Sequence, residues 1–272
     1  MNSTVNGKGR QIAIPLYQID AFTTQPFHGN PAAVCPLEEW IDDATMQAIA
    51  AENNLAETAF FVREDGDFRL RWFTPVTEVN LCGHATLASA FVIFERLHPD
   101  LEEVRFQTLS GVLTVRREQD RLALDFPALP AERRHEPAIV AAAIGIEPLE
   151  LWEGDRGMAV LRDAGSLRDM RPDFGAIAQL PFSSLIVTAP GDPGNADFVS
   201  RYFAPRQGVP EDPVTGSAHC VLVPYWSKRL GKRELFARQL SSRGGELWLE
   251  DRGNRVTIAG HCVFILEGRI KE

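Results

Sequence analysis

Two glycines in this chain each precede a polar residue at the start of an apolar segment, as Gly83-His84 and Gly216-Ser217. Where such a pair begins a helix, unpaired backbone N–H groups and the positive end of the helix dipole attract a carboxylate or a phosphate. Two helix starts that meet at one interface would hold a small anion from two sides. The two pairs therefore predict a cleft that binds a small anionic ligand.

The segments around the two pairs resemble each other, which indicates a duplication. The RWFTP of residues 71–75 returns as RYFAP at 201–205, an offset of 130 residues, and the two glycines are offset by 133 residues. Downstream, FQTLS at 106–110 is answered by ARQLS at 237–241. Several matches in register near one offset predict two copies of one structural unit.

The elements that must position the two pairs are similar in both copies. Residues 85–94 are apolar on every face, which predicts a helix surrounded by other structure. A second helix is expected to begin near Gly216, and Pro224 is expected to kink it or limit its length. Strand-like runs follow each helix. We therefore predict an α+β fold of two pseudo-repeated halves, each a curved antiparallel sheet or barrel around a central helix.

The repeats are assigned to 11–127 and 138–268, with a proline-containing linker at 127–137 and a C-terminal strand that is a candidate to cross back to the first domain. A helix capped by Asp42 or Asp43 is expected to end near 53–54. Alternation and turn residues predict strands at 12–22, 69–73, 104–108, 111–117, 121–126, 183–188, 246–250, 255–259 and 262–267.

Composition excludes several function classes. The net charge is −9 and the arginines are scattered, so a nucleic-acid surface is not expected. Residues 1–10 lack the apolar core of a signal peptide, and the longest uncharged apolar stretch is too short for a bilayer. We therefore expect a cytoplasmic protein with no membrane partner. The four cysteines lack C-x-x-C spacing, so they are expected to be reduced thiols.

Four segments resemble the signatures of the phenazine-biosynthesis isomerase (PhzF-like) family: GNPAAV at 29–34, LAETAF at 55–60, CGHAT at 82–86 and EDPVTGSAH at 211–219. The resemblance extends from about residue 14 to residue 268, and the last segment is the most specific. It implies the diaminopimelate epimerase-like fold with an interdomain active site. It also implies a homodimeric isomerase that moves a proton on a small carboxylic acid without a metal or organic cofactor.

The resemblance assigns roles residue by residue. Glu57 matches the acid/base, and Ala56 stands where the family often has serine. A carboxyl group can move a proton between two carbons when burial raises its pKa towards neutrality. Imidazole shares protons near pH 7, and a carboxylate orients amines or hydroxyls. The resulting site prediction has two parts: catalytic residues Glu57, His84 and Asp212, and substrate-binding residues Gly83, Gly216 and Ser217.

Other functions remain open from the sequence. Diaminopimelate epimerases use two cysteines as opposed bases, whereas here Cys82 occupies the first position and Thr215 the second. A threonine hydroxyl cannot deprotonate a carbon acid unaided, so one-base isomerisation is favoured over an amino-acid racemase or epimerase. A non-catalytic protein that binds a small carboxylate is the alternative from another class.

Structural interpretations compete with the assigned roles. His84 and Ser217 could be helix caps, and Asp212 before Pro213 could be a turn initiator. Adjacent Cys and His residues, as at Cys82 and His84, lack the usual spacing of zinc ligands, so no metal site is predicted. Three further residues are candidates to shape the pocket: Asn30, Phe60 and Tyr225.

Overall fold

The computed structural model describes residues 13–154 and 156–271. The predictions for residues 1–10 and for residue 12 therefore fall on residues that it does not describe. The described strands form one hydrogen-bonded sheet system. They are β1 Ala13–Ala21, β2 Asn30–Leu37, β3 Glu57–Glu64, β4 Asp67–Phe73, β5 Glu78–Val79, β6 Glu103–Thr108, β7 Gly111–Glu118, β8 Arg121–Pro127, β9 Glu132–Arg134, β10 Glu150–Glu153, β11 Gly157–Val160, β12 Leu185–Pro190, β13 Phe198–Ala204, β14 Val209–Asp212, β15 Glu234–Gln239, β16 Gly245–Asp251, β17 Arg255–Gly260 and β18 Cys262–Lys271.

The helices are fewer and mostly short. The α-helices are α1 Asp43–Asn53, α2 Gly83–Val92, α3 Ala141–Ile144, α4 Ala164–Asp169, α5 Phe174–Ala178 and α6 His219–Leu230. Single turns of 3₁₀-helix lie at Pro137–Val140, Pro205–Gln207 and Gly216–Ala218, and a π-helical turn follows α2 at Ile93–Leu97. The predicted cap of α1 is confirmed, because the Asp42 side chain accepts a hydrogen bond from the Thr45 N–H. Every helix in the described ranges falls short of the length and apolar character needed to span a bilayer.

Strand pairing repeats between the two halves. In the first half β2 pairs with β3 and β4 pairs with β6, both in parallel. The parallel pairs of the second half are β11 with β12 and β13 with β15, at corresponding positions. The predicted α+β fold is confirmed, and these parallel pairs are an addition to the antiparallel sheet that strand alternation indicated.

The halves are joined by strands as well as by the linker. β8 pairs with β17, β18 pairs with β1 over its length, and β9 pairs with β10. The linker expected at 127–137 therefore contains the short strand β9. β18 and β9 take matching places beside the first strand of each half, because each edge needs a partner for its backbone groups.

The central helices are buried as predicted, and Pro224 does not limit the length of the second one. Nine of the ten residues of α2 are buried, and α6 continues past Pro224 to Leu230. Proline has no N–H to donate to the carbonyl four residues earlier. Here the Cys220 carbonyl accepts a hydrogen bond of 2.9 Å from the Leu129 N–H. A linker residue thus satisfies the carbonyl, and the helix does not end at the proline.

One hydrophobic cluster runs through both halves and positions the two central helices. It includes Leu87 of α2 and Leu222 of α6, both fully buried, and Phe22 at the end of β1. An ideal Cβ on Gly260 would lie 2.4 Å from the Phe22 ring, so only glycine fits beneath this side chain. The shared core holds the N-terminal ends of the two helices at one junction.

Candidate active site

The N-terminal ends of the two central helices meet at a cavity of about 320 Å³. An ideal Cβ on Gly83 would lie 3.5 Å from the Gly216 Cα, and one on Gly216 would lie 3.6 Å from the Gly83 Cα. The backbones of the two halves are therefore in near contact at this point. The cavity is lined by all six predicted site residues: Glu57, Gly83, His84, Asp212, Gly216 and Ser217.

Glu57 and His84 form a buried ion-pair contact on the wall contributed by the first half. Glu57 is the first residue of β3, and His84 is the second residue of α2. The Glu57 Oε2 lies 3.1 Å from the His84 Nε2, with 18% and 5% of the two side chains exposed. Glu57 thus lines the cavity with one carboxylate oxygen held against the imidazole.

The surroundings of His84 favour its charged form. Burial lowers the pKa of His84, but the charge of Glu57 and the hydrogen-bonding contacts with Cys82 and Glu57 oppose burial, and this pKa lies well above its usual value. The Cys82 Sγ lies 3.5 Å from the His84 Nδ1. Burial and the charge of Glu57 raise the pKa of Cys82 to about 11, so this cysteine is a thiol at neutral pH.

Three side chains of the cavity lie close enough to serve together as metal ligands. The ligand atoms of Glu57, Cys82 and His84 lie within 4.8 Å of one another. Sγ lies 3.5 Å from Nδ1 and 3.9 Å from Nε2, and the carboxylate contacts Nε2. Cys82 would have to lose its proton to bind an ion. No step of the chemistry is assigned to a metal.

Asp212 reaches the same cavity from the second half and is connected to the first half through Asn30. The Asn30 Nδ2 donates to the Asp212 Oδ1 at 2.8 Å and to the Val214 carbonyl at 2.9 Å. The same nitrogen lies 3.1 Å from the His84 Nδ1. The Thr215 hydroxyl donates to the other oxygen of Asp212. Asn30 thus holds Asp212 in place across the junction and lies beside the His84 ring.

We expect Asp212 to make stability fall as the pH rises. Burial, with the nearby charge of Glu57, raises the pKa of Asp212 from 3.8 to about 6 despite the opposing effects of His84, Thr215 and Asn30. The folded protein therefore holds a proton that the unfolded chain releases, so this stabilisation is present below pH 3.8 and is lost as the pH rises through about 6. The amide introduced by Asp212→Asn does not titrate. We expect the free energy of unfolding of Asp212→Asn, measured in urea, to rise by about 2 kcal/mol relative to that of wild type between pH 4 and pH 7. This figure allows for the partial exposure of the side chain.

A difference in the free energy of unfolding between wild type and Asp212→Asn that stays constant with pH would contradict a raised pKa for Asp212. Glu211→Gln is the matched control, because this neighbouring carboxylate forms its ion pair with Arg201 outside the network of Asn30.

Several residues of the cavity were missed from the sequence, and Arg156 and Ser184 are two polar ones. Arg156 precedes β11, and its Nη1 donates to the Ser217 Oγ at 3.1 Å. Ser184 precedes β12 and is 3% exposed, yet its hydroxyl has no hydrogen-bond partner among the described residues. Neither residue lies in a segment that resembles the first repeat, so no local signal marked them.

The register of the two halves shows how the duplicated site has diverged. Thr58 of β3 is opposite Phe73, and Leu185 of β12 is opposite Phe203, which is the counterpart of Phe73 in the repeat. The residues one position earlier, Glu57 and Ser184, are therefore equivalent. The first half supplies a carboxylate where the second half supplies a hydroxyl, so the two walls of the cavity are chemically different.

Several competing interpretations are decided by the geometry. The N-cap positions belong to Cys82 and Thr215, without side-chain capping bonds, so His84 and Ser217 are not caps. Phe60 belongs to a separate core cluster, and Tyr225 lines a different cavity. The prediction that Phe60 and Tyr225 shape the pocket was therefore wrong.

Comparison with known proteins agrees with this architecture. The profile of the PhzC-PhzF family, described as phenazine biosynthesis-like protein, matches residues 19–268. A Pseudomonas aeruginosa protein named "Uncharacterized isomerase" is 51% identical over 259 residues, covering 95% of this chain and 98% of the relative. A "Phenazine biosynthesis-like domain-containing protein" of Homo sapiens is 42% identical over 284 residues, covering 94% and 99%.

The crystal structure of a phenazine biosynthesis protein of the PhzF family from Enterococcus faecalis is similar, with a TM-score of 0.93 and 45% identity over 95% of this chain and 99% of that one. A hydroxyproline epimerase from Agrobacterium vitis has a TM-score of 0.60 at 9% identity, covering 95% and 92%. At that identity the likeness concerns the fold alone.

Proposed function

Because the chain is an isomerase that belongs to the phenazine biosynthesis-like protein family, we propose that it moves a proton between two carbons of a small carboxylic acid, with Glu57 as the acid/base. The supporting observation is the position of Glu57, which lines the cavity with 18% of its side chain exposed while its Oε2 is held 3.1 Å from the His84 Nε2. A base must reach its substrate, and a carboxylate on the cavity wall is placed to do so.

In the proposed reaction the Glu57 carboxylate takes a proton from a carbon that is activated by conjugation. The electron pair of the broken C–H bond moves into the conjugated system of the substrate. The protonated Glu57 then returns the proton to a second carbon on the same face, which completes the isomerisation without net transfer of electrons. His84, whose Nε2 lies 3.1 Å from the Glu57 Oε2, holds this carboxylate in position on the cavity wall.

The helix starts and Asp212 hold the substrate in this scheme. The backbone N–H groups beside Gly83 and Gly216 attract its carboxylate, because both helices begin at the cavity. The Asp212 carboxyl group orients an amine or hydroxyl of the substrate. The reaction needs side chains and backbone of this chain alone, and the homodimer implied by the resemblance stays a prediction.

Two-base racemisation is disfavoured by the same geometry. The Cys82 thiol has a pKa raised to about 11, and its counterpart Thr215 uses its hydroxyl to donate to Asp212. Neither group is a base at neutral pH. Ser184, the equivalent of Glu57, is no base either, so the second half offers no opposed proton acceptor at that position.

Deuterium incorporation from heavy water tests the proposal. The protein is incubated with a pool of small cyclic and amino carboxylic acids, and mass shifts are followed. We expect deuterium to enter one compound, and the Cys82→Ser variant to retain exchange within about tenfold of wild type, because the thiol is not the base. Loss of exchange in Cys82→Ser would favour racemisation through the thiol. Binding of an acid without exchange in wild type would favour a non-catalytic binding protein.

A further inference from the structure

The second half contributes a cation, Arg156, to a cavity whose other titratable charged side chains are Glu57, His84 and Asp212. Among the described residues that line the cavity, Arg156 is the one arginine or lysine, and it stands beside Ser217 at the start of the second central helix. Glu57 and Asp212 provide the negative charge. An anionic ligand would therefore direct its charge towards Arg156 and away from the two carboxylates.

The bond between Arg156 and Ser217 also sets the direction of the serine hydroxyl. The Ser217 Oγ accepts a hydrogen bond of 3.1 Å from the arginine, which leaves the hydroxyl hydrogen for donation elsewhere. The guanidinium group packs over the Tyr202 ring, with its carbon 5.5 Å from the ring centroid. Packing against this ring limits the guanidinium to few orientations, so its fork is held in place before a ligand arrives.

Ser184 gives an independent indication of a ligand on this wall. Its side chain is buried to all but 3%, it lines the same cavity, and its hydroxyl has no hydrogen-bond partner among the described residues. A buried hydroxyl without a partner is costly, and a bound acceptor removes that cost. Arg156, Ser184 and Ser217 can all donate hydrogen bonds, and all three line the side of the cavity formed by the second half. The equivalent of Ser184 in the first half is Glu57.

We propose that Arg156, Ser184 and Ser217 anchor the carboxylate of the substrate and thereby present its reactive carbons to Glu57. This proposal rests on the proposed function and adds the determinant of substrate class: a small acid with a free carboxylate, rather than its amide or ester. The planar guanidinium suits a carboxylate because it can donate two parallel hydrogen bonds. The side chains that bind the carboxylate then come from the second half, and the side chain that moves the proton comes from the first.

A binding experiment with a charged probe and its neutral counterpart tests this assignment. Benzoate and benzamide have the same shape, and each is titrated calorimetrically into wild type and Arg156→Gln. We expect benzoate to bind wild type more tightly than benzamide does, and Arg156→Gln to weaken benzoate by about 10- to 100-fold. Benzamide should be affected by less than about threefold, because a neutral ligand does not use the guanidinium charge. A general structural defect would weaken both probes equally.

Further variants sharpen the result. Arg156→Lys keeps the charge without the planar fork and should bind benzoate with intermediate affinity. Ser184→Ala should weaken benzoate by a few-fold, and Arg133→Gln, at an exposed arginine on β9, should change nothing. The proposal is overturned when Arg156→Gln binds benzoate as wild type does, or when wild type binds benzoate no more tightly than benzamide.

Failure of this proposal is distinguishable from failure of the proposed function. Carboxylate selectivity that depends on Arg156, together with deuterium exchange that does not depend on Glu57, would refute the catalytic role and leave the anchor intact. Exchange that depends on Glu57 without any effect of Arg156→Gln on benzoate would refute the anchor alone.

Discussion

Replacing Glu57 by glutamine will lower deuterium exchange into the substrate by about 10²- to 10⁴-fold, the usual contribution of a positioned acid/base. Glutamine has the shape of glutamate but cannot accept and return the proton. The measurement is mass-spectrometric exchange in heavy water under the conditions used for wild type. The affinity for the substrate should change far less than the exchange rate, because the proposed anchoring residues are Arg156, Ser184 and Ser217 and not Glu57.

The Glu57→Gln variant should remain folded. Breaking a buried ion pair is costly when a charge stays unpaired. His84 avoids this cost by losing its proton, since the nearby carboxylate is one cause of its raised pKa. NMR titration should therefore show a lower pKa for His84 in the variant, and the circular dichroism spectrum should match that of wild type.

Glu64→Gln is the matched control for this prediction. Glu64 lies at the other end of the same strand, is exposed, and accepts a hydrogen bond from the Trp40 indole. Its replacement should leave exchange unchanged, because its carboxylate does not line the cavity. Exchange in Glu57→Gln at the wild-type rate would show that another group moves the proton.

Replacing Phe22 by alanine should lower the free energy of unfolding by about 3–5 kcal/mol, the loss that follows from removing a large buried aromatic side chain. Phe22 is fully buried at the junction of the two halves, against Gly216 and Gly260. Its N–H donates to the His261 carbonyl at 2.7 Å, and its carbonyl accepts from the Glu246 N–H at 3.0 Å. Removing the ring leaves a cavity under the start of the second central helix.

Phe27→Ala is a close control, because Phe27 shares the unusual backbone conformation of Phe22 but not its burial. The two residues have φ angles of 67° and 64°, and Phe27 is 73% exposed. Alanine at either position bears the same left-handed strain as phenylalanine, so the difference between the two variants reports packing. Phe27→Ala should change the free energy of unfolding by at most about 0.5 kcal/mol.

Urea unfolding of wild type, Phe22→Ala and Phe27→Ala measures these differences in the free energy of unfolding. The midpoint should fall strongly in Phe22→Ala, with an unchanged slope against urea concentration, because the surface exposed on unfolding is nearly the same. Equal midpoints for Phe22→Ala and Phe27→Ala would show that the junction does not depend on this ring.

Much of the fold could be predicted because its signals are local. The cap of α1 at Asp42, the apolar α2 and the strands after each central helix follow from residue types a few positions apart. The parallel pairs and the strand β9 did not appear in the prediction, because pairing partners lie far apart in the chain and alternation does not specify direction. The passage of α6 through Pro224 also depended on a distant group, the Leu129 N–H.

The active site, like the fold, was predicted only in part from the sequence. By itself the sequence determined that two glycine-led helices should bring a ligand to one junction, and that Glu57, His84 and Asp212 match one family's pattern. Only the tertiary structure decided that Asn30 links Asp212 to His84, and that Arg156 and Ser184 border the same cavity. A motif records residues close in sequence, whereas burial, charge and orientation arise from residues brought together by packing. The sequence therefore indicated Glu57, His84, Asp212 and Ser217, whereas Arg156 and Ser184 became visible only in the tertiary structure.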